Sequence, residues 1–132
     1  MHYWKSSVNI GPYSFGRFIG SPLDGVTNAP LRRVVRTLSP QTLQYTEMCH
    51  TNTIINTHPY SWGVEPNEWP INFQICTPDT THIEAACQRI LECGIKMVDV
   101  NIGCPAQNVV SRGAGSALMG NINQLKNIIT VL

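Results

Sequence analysis

From residue 70 onward the apolar positions switch between two periods. In "PINFQI", Pro70 to Ile75, the residues Ile71, Phe73 and Ile75 fall on one side and Asn72 and Gln74 on the other. That alternation predicts a β-strand. Beyond it, Ile83, Ala86, Cys87, Ile90 and Leu91 recur at helical spacing and predict one apolar helix face. Thr81 followed by Glu84 has the spacing of a capping box, and Gly94 suits the helix end. Met97 to Ile102 alternates again, with Val98, Val100 and Ile102 on one side and Asp99 and Asn101 on the other. "INQLKNIITVL" then predicts a last helix. Upstream, "RFIGS", Arg17 to Ser21, predicts a short strand that breaks at Pro22. "LRRVVRTL" predicts a helix with Pro30 in its first turn, capped by Thr27 or Asn28 and ending before Ser39-Pro40. Leu43 to Met48 predicts a second strand. The first dozen residues read as irregular, and Cys49 to Pro66 as a short helix or turn followed by loop.

Strand and helix thus alternate through four units, which argues for a parallel sheet with right-handed crossovers. A doubly wound open sheet and a (β/α)8 barrel both fit that order. Central strands of an open sheet are apolar on both faces. Here one face carries amides and a carboxylate toward the strand ends, where a barrel keeps its site. The expectation is an α/β fold, the N-terminal half of a (β/α)8 TIM barrel with about four strand-helix units. Residues 1–132 would be one incomplete catalytic domain.

Composition changes this picture in one respect. Only 13% of the residues are charged, against about 25% in an average soluble protein. Such a surface suggests cover by further protein, either a C-terminal half or a dimer partner. The formal net charge of +1 gives no compositional argument for nucleic acid. No run of about 18 apolar residues marks a membrane span, and the N-terminus lacks the order of a signal peptide. Five cysteines, an odd number without a CxxC pair, suggest free thiols in a reducing, cytoplasmic setting and no zinc site.

The candidate chemistry gathers at strand ends. Gln74 and Asn101 are inward amides, each both donor and acceptor, suited to a flat heterocycle such as a flavin or a pyrimidine. The alternative is that they bond loop backbone. Cys104 follows the fourth strand on a corner held by Gly103 and Pro105. A thiol there can act as nucleophile or proton donor. "RGAGSAL", Arg112 to Leu118, lets backbone approach a neighbour or ligand closely, but is neither GxGxxG nor a P-loop. Glu47 is read first as a loop-ordering residue, and Cys76, Cys93, His58 and His82 as structural or surface residues.

Three segments in order carry a family resemblance: "SPLDGVTNAPLRR", "LQYTEM" and "VDVNIGCPAQNVVSRGAGSAL". The chain resembles the tRNA-dihydrouridine synthases over roughly residues 17 to 131. The last segment is long and specific. The resemblance implies an FMN-dependent reduction of uridine in tRNA to 5,6-dihydrouridine, with NADPH as reductant. It implies that Pro22, Leu23 and Asp24 lie against FMN, that Gln74 bonds the isoalloxazine ring and that Asn101 orients the flavin or the base. Hydride would pass from flavin N5 to uracil C6, and Cys104 would protonate C5 as general acid. The target base would leave its stack. Where the family opens APM this chain has SPL, Asn28 stands for its usual Asp, and Asp24 replaces a small residue. The family's later Lys, His and phosphate-binding segments, and its helical tRNA-binding domain, have no counterpart.

Two other assignments remain open on sequence. One is a flavoenzyme resembling dihydroorotate or dihydropyrimidine dehydrogenases, against which the GSAL tail argues. The other is a degenerate, non-catalytic half barrel. On the synthase assignment the expectation is a fragment, inactive alone, and the isolated chain is expected to be poorly soluble and to bind FMN weakly.

Overall fold

The computed structural model describes residues 5–132. Its centre is a parallel sheet organised around one fully buried strand, β5 (Ile71–Cys76). On one side β5 pairs in parallel with β3 (Gln44–Tyr45) and β4 (Cys49–His50). On the other it pairs with β6 (Val98–Val100), Gln74 lying opposite Asp99. The predicted alternation explains the burial. Ile71, Phe73 and Ile75 pack outward against Ile54 of α2 (Thr51–Asn56) and against Ala86 and Ile90 of α3 (Ile83–Glu92). Period two then sends Asn72, Gln74 and Cys76 to the opposite, inner face.

The remaining elements are α1 (Ala29–Leu38), α4 (Gln107–Val110), α5 (Ile122–Val131) and two 3-10 turns, Pro59–Trp62 and Gly115–Gly120. The fold is mixed α/β, with the parallel arrangement that the element order implies. Asn28 caps α1 by accepting the Leu31 N–H at 3.1 Å, and Pro30 sits in the first turn, where a missing N–H is harmless.

Several local expectations are corrected. The opening residues, as far as the structure describes them, are not irregular. Ser7–Ile10 (β1) and Tyr13–Gly16 (β2) form an antiparallel hairpin, with Gly11 at φ +56° in its turn. Its aromatic cluster is long-range, Tyr13 and Phe15 meeting Trp69, so no local period announces it. The strand expected at Arg17 to Ser21 contributes a single bridge, Ile19 to Leu43. The Thr81–Glu84 capping box does not form. Asp79 takes the Thr81 N–H at 2.9 Å instead, and α3 starts after His82 without a side-chain cap. Leu91, assigned to the apolar face, is exposed, and Ile102 leaves the strand to line a cleft.

The predicted strand Leu43 to Met48 is split by a bulge. Tyr45 pairs with Asn72 and Cys49 with Ile75, so Thr46, Glu47 and Met48 stand opposite only Phe73 and Gln74. The ladder survives because the Thr46 hydroxyl accepts the Gln74 N–H at 3.0 Å in place of a carbonyl. A bulge re-aims the side chains within it, and this one frees Glu47 to reach a neighbouring loop.

One buried ion pair ties α1 to the segment before β5. Arg32, 3% exposed, meets Glu68 through Nε (3.0 Å) and Nη2 (2.8 Å) and also donates to the carbonyls of Thr27 and Gly63. Arg32→Leu leaves that carboxylate uncompensated and is expected to cost about 3–5 kcal/mol in urea unfolding. A loss below about 1 kcal/mol would show that the pair behaves as a surface contact.

Candidate active site at the strand ends

All six candidate residues line one open cleft. Pro22, Leu23, Asp24, Gln74, Asn101 and Cys104 surround a cavity of about 730 Å³, with Met48, Asp99 and Asn108 among the other lining residues. That volume lies in the range of small-molecule sites. Three loops converge on it, the turn before α1, the bulge and the segment after β6, with Gln74 of β5 and Asp99 of β6 between them.

The inner wall is a hydrogen-bonded relay across two strands. Asp99 Oδ2 accepts from Gln74 Nε2 at 2.6 Å. Gln74 Oε1 accepts from Asn101 Nδ2 at 3.0 Å. Asn101 Oδ1 in turn accepts the backbone N–H of Cys104 at 2.9 Å and of Gly103 at 3.3 Å. The alternative that these amides bond loop backbone therefore holds for the Asn101 oxygen. The relay leaves one N–H each on Gln74 and Asn101 and a lone pair on Gln74 Oε1 outside these bonds. That donor and acceptor set matches the edge of a heterocycle with alternating carbonyls and ring nitrogens.

Cys104 is half-buried and clasped from both sides. Asn101 holds its N–H, and Ser116 N–H donates to its carbonyl at 3.0 Å. Gly115 passes so close that a Cβ there would lie 2.6 Å from Cys104 O and 2.8 Å from Val109 Cγ1, at φ +59°. The neighbour that the RGAGSAL glycines approach is thus the Cys104 loop itself. Beneath it lie Cys76, Val109 and Ala114, a dry floor that Met48 also touches. All five cysteines are free thiols.

The opposite rim is fixed by the bulge. Glu47 Oε1 accepts the Gly25 N–H at 2.7 Å, which confirms its loop-ordering role. Thr27 Oγ1 donates to Leu23 O at 3.1 Å and accepts Leu23 N–H at 3.0 Å, closing the turn that presents Pro22, Leu23 and Asp24. Asp24 is exposed, where the cleft meets a smaller recess lined by Glu47, Met48, Cys49 and Tyr60. Sequence reasoning did not single out Thr46, Met48 or Asn108. Asp99 carried a signal, since it shares the inward parity of Asn101.

The family model described as Dihydrouridine synthase (Dus) matches residues 19–132. A probable tRNA-dihydrouridine synthase 1 of Synechocystis is 36% identical over 121 residues, covering 88% of this chain and 34% of its own length. A tRNA-dihydrouridine synthase B of Pseudomonas aeruginosa is 32% identical, covering 86% of this chain and 35% of its own. A tRNA-dihydrouridine(47) synthase [NAD(P)(+)] of Yarrowia lipolytica is 32% identical over 86% of this chain and 20% of its own. The chain belongs to the dihydrouridine synthase family. It spans about a third of the length of the first two relatives. Among the described residues no helix is long and apolar enough to cross a membrane, and no three His, Cys, Asp or Glu gather to hold a metal ion.

Two predictions follow from the packing. Gly115→Ala should displace the Cys104 loop and lower stability by about 1–3 kcal/mol, as alanine at positive φ and in a filled space requires. Thermal unfolding and faster alkylation of Cys104 would register it, and an unaltered melting point with unaltered alkylation would refute it. The Cys49 thiol is pushed up to about 11 by burial, with the Cys76 thiol adding in the same direction. An unfolded thiol ionises near pH 9, so between pH 9 and 11 the unfolded chain loses a proton that the folded one keeps. Cys49 thus contributes stability that is complete below pH 9 and lost as pH rises to 11. Urea midpoints should fall less steeply in that window for Cys49→Ala than for the wild type.

Proposed function

We propose that this chain supplies the flavin-facing and proton-donating part of a tRNA-dihydrouridine synthase, acting on uridine in tRNA with FMN as cofactor and NADPH as reductant. The observation that carries the proposal is the position of Cys104. Its thiol borders the cleft on a loop held by Asn101 and Gly115, next to amides with spare donors and acceptors. The family match and the relatives' names support the same chemistry.

The residues present fit FMN. Gln74 has a spare N–H and a spare lone pair for the edge of the ring system, and Pro22, Leu23 and Asp24 form the facing rim. When bound, FMN supplies the hydride equivalent that saturating the pyrimidine double bond requires. This chain's part is to hold, orient and protonate. Asn101 offers its remaining N–H to the flavin or to a uracil carbonyl, while its oxygen keeps the Cys104 loop in place. Cys104 donates its S–H proton to uracil C5, and its partial exposure lets the thiolate recover a proton from water. The base reaches the cleft by leaving its stack. On this proposal the barrel is completed by further strand-helix units, and the free thiols belong to a reducing cytoplasm.

The test uses protein expressed from the complete reading frame containing this chain, with unmodified tRNA, FMN and NADPH. Dihydrouridine should form. Cys104→Ala should slow it about 10²–10⁴-fold, the usual worth of a positioned proton donor, with FMN still bound. Unchanged turnover removes Cys104 from the acid role, and no product from the wild type overturns the proposal.

A further inference from the structure

Three successive loops at the Cys104 end of the sheet bring together basic side chains that the proposed chemistry does not use. His50 ends β4, in register with Cys76 at the end of β5. His82 lies in the following loop, just before α3. Arg112 follows α4, four residues beyond Asn108 of the cleft wall. The loops are packed on one another. A Cβ on Gly113 would lie 3.8 Å from Pro78 Cβ, and Thr51 Oγ1 meets Thr77 Oγ1 at 3.3 Å.

Arg112 differs from the other arginines. Arg32 and Arg33 are paired with Glu68 and Glu65. Arg36 and Arg89 donate to backbone carbonyls, and Arg17 bonds Ser6. The Arg112 guanidinium is exposed and makes no ion pair or hydrogen bond among the described residues. His50 has a defined tautomer. Its Nδ1 accepts the Asn52 N–H at 3.2 Å, which leaves Nε2–H as the donor of the neutral ring. Burial, with Arg112 adding to it, lowers the His50 pKa and favours this neutral form. The one acid in the group, Asp79, is turned to the Thr81 N–H.

We propose that Arg112, His50 and His82 form a binding site for a backbone phosphate of RNA beside the cleft. Arg112 supplies the charge and the two-pronged donor, and His50 supplies a neutral N–H. A phosphate fixed there positions the strand and reads no sequence, which suits an enzyme that must hold a distorted strand while one base is turned into the cleft. The inference rests on the tRNA substrate proposed above. The other source of the same chemistry is the phosphate of FMN.

The test is filter binding of unmodified tRNA across a salt series, using protein from the complete reading frame, with FMN affinity and dihydrouridine formation measured on the same preparations. Arg112→Ala should weaken tRNA binding several-fold at low salt and reduce the slope of log affinity against log salt by about one. Arg112→Lys should keep the slope, and FMN affinity should hold in both. An unchanged slope overturns the site, as does a loss that appears in FMN affinity instead. Wild-type turnover with an unchanged Arg112→Ala slope sinks the phosphate site alone. Absence of dihydrouridine sinks the tRNA-reductase assignment, and the slope still decides the phosphate site.

Discussion

The register between β5 and β6 is the constraint on which the site depends. Gln74 lies opposite Asp99, and the pleat puts both on the inner face with Asn101 two residues further on. From that alignment come three hydrogen bonds in series, which carry the strand geometry out to the N–H of Cys104. A slip of one residue would turn every side chain on β6 to the other face. Asp99 and Asn101 would then meet the isoleucines of the outer core, and the relay to the Cys104 loop would be lost. Burial of the outer face therefore specifies the chemistry of the inner one. Charge strengthens the relay, since the bond to the Asp99 carboxylate is the shortest of the series at 2.6 Å.

Around that relay the rims are held by backbone devices. The bulge at Thr46 to Met48 adds one residue on the β3–β4 side and lets Thr46 stand in for a carbonyl. Its consequence is long-range: Glu47 reaches the Gly25 N–H and fixes the turn that presents Pro22 to Asp24. On the far rim Gly115 fills the space a side chain would need, against Cys104 itself. Both devices work by local backbone geometry, so side chains facing the cleft are left available.

What was legible in the sequence follows from the range of the forces. Strand β5, the face of α3 and the two inward amides were readable because period two and period 3.6 are local consequences of burial. Cys104 and its glycine neighbours were readable because Gly-Cys-Pro fixes a corner whatever surrounds it. The hairpin was missed because Tyr13 and Phe15 are ordered by Trp69, more than fifty residues away. The capping box failed for a competitive reason: Asp79 reaches the Thr81 N–H first, through a turn that Thr77 also braces by donating to Asp79 O at 2.7 Å. The bulge was illegible since "LQYTEM" alternates acceptably as one strand, and only pairing with β5 shows the extra residue.

The two faces of β5 also separate stability from function. The outer face is dry, with Phe73, Ile75 and Ile90 fully buried, and it owes its stability to area removed from water. The inner face is built from polar groups that must find partners. It nearly succeeds within these residues, and Asn72 Oδ1 is the buried side-chain acceptor left without one. An orphan of that kind is costly, and it lies two residues below Gln74 on the same inner face. Among the described residues the polar inner face satisfies itself near Cys104 and falls short deeper in the sheet. The preorganised hydrogen bonds therefore lie beside the Cys104 loop, and the unmet acceptor lies one layer deeper.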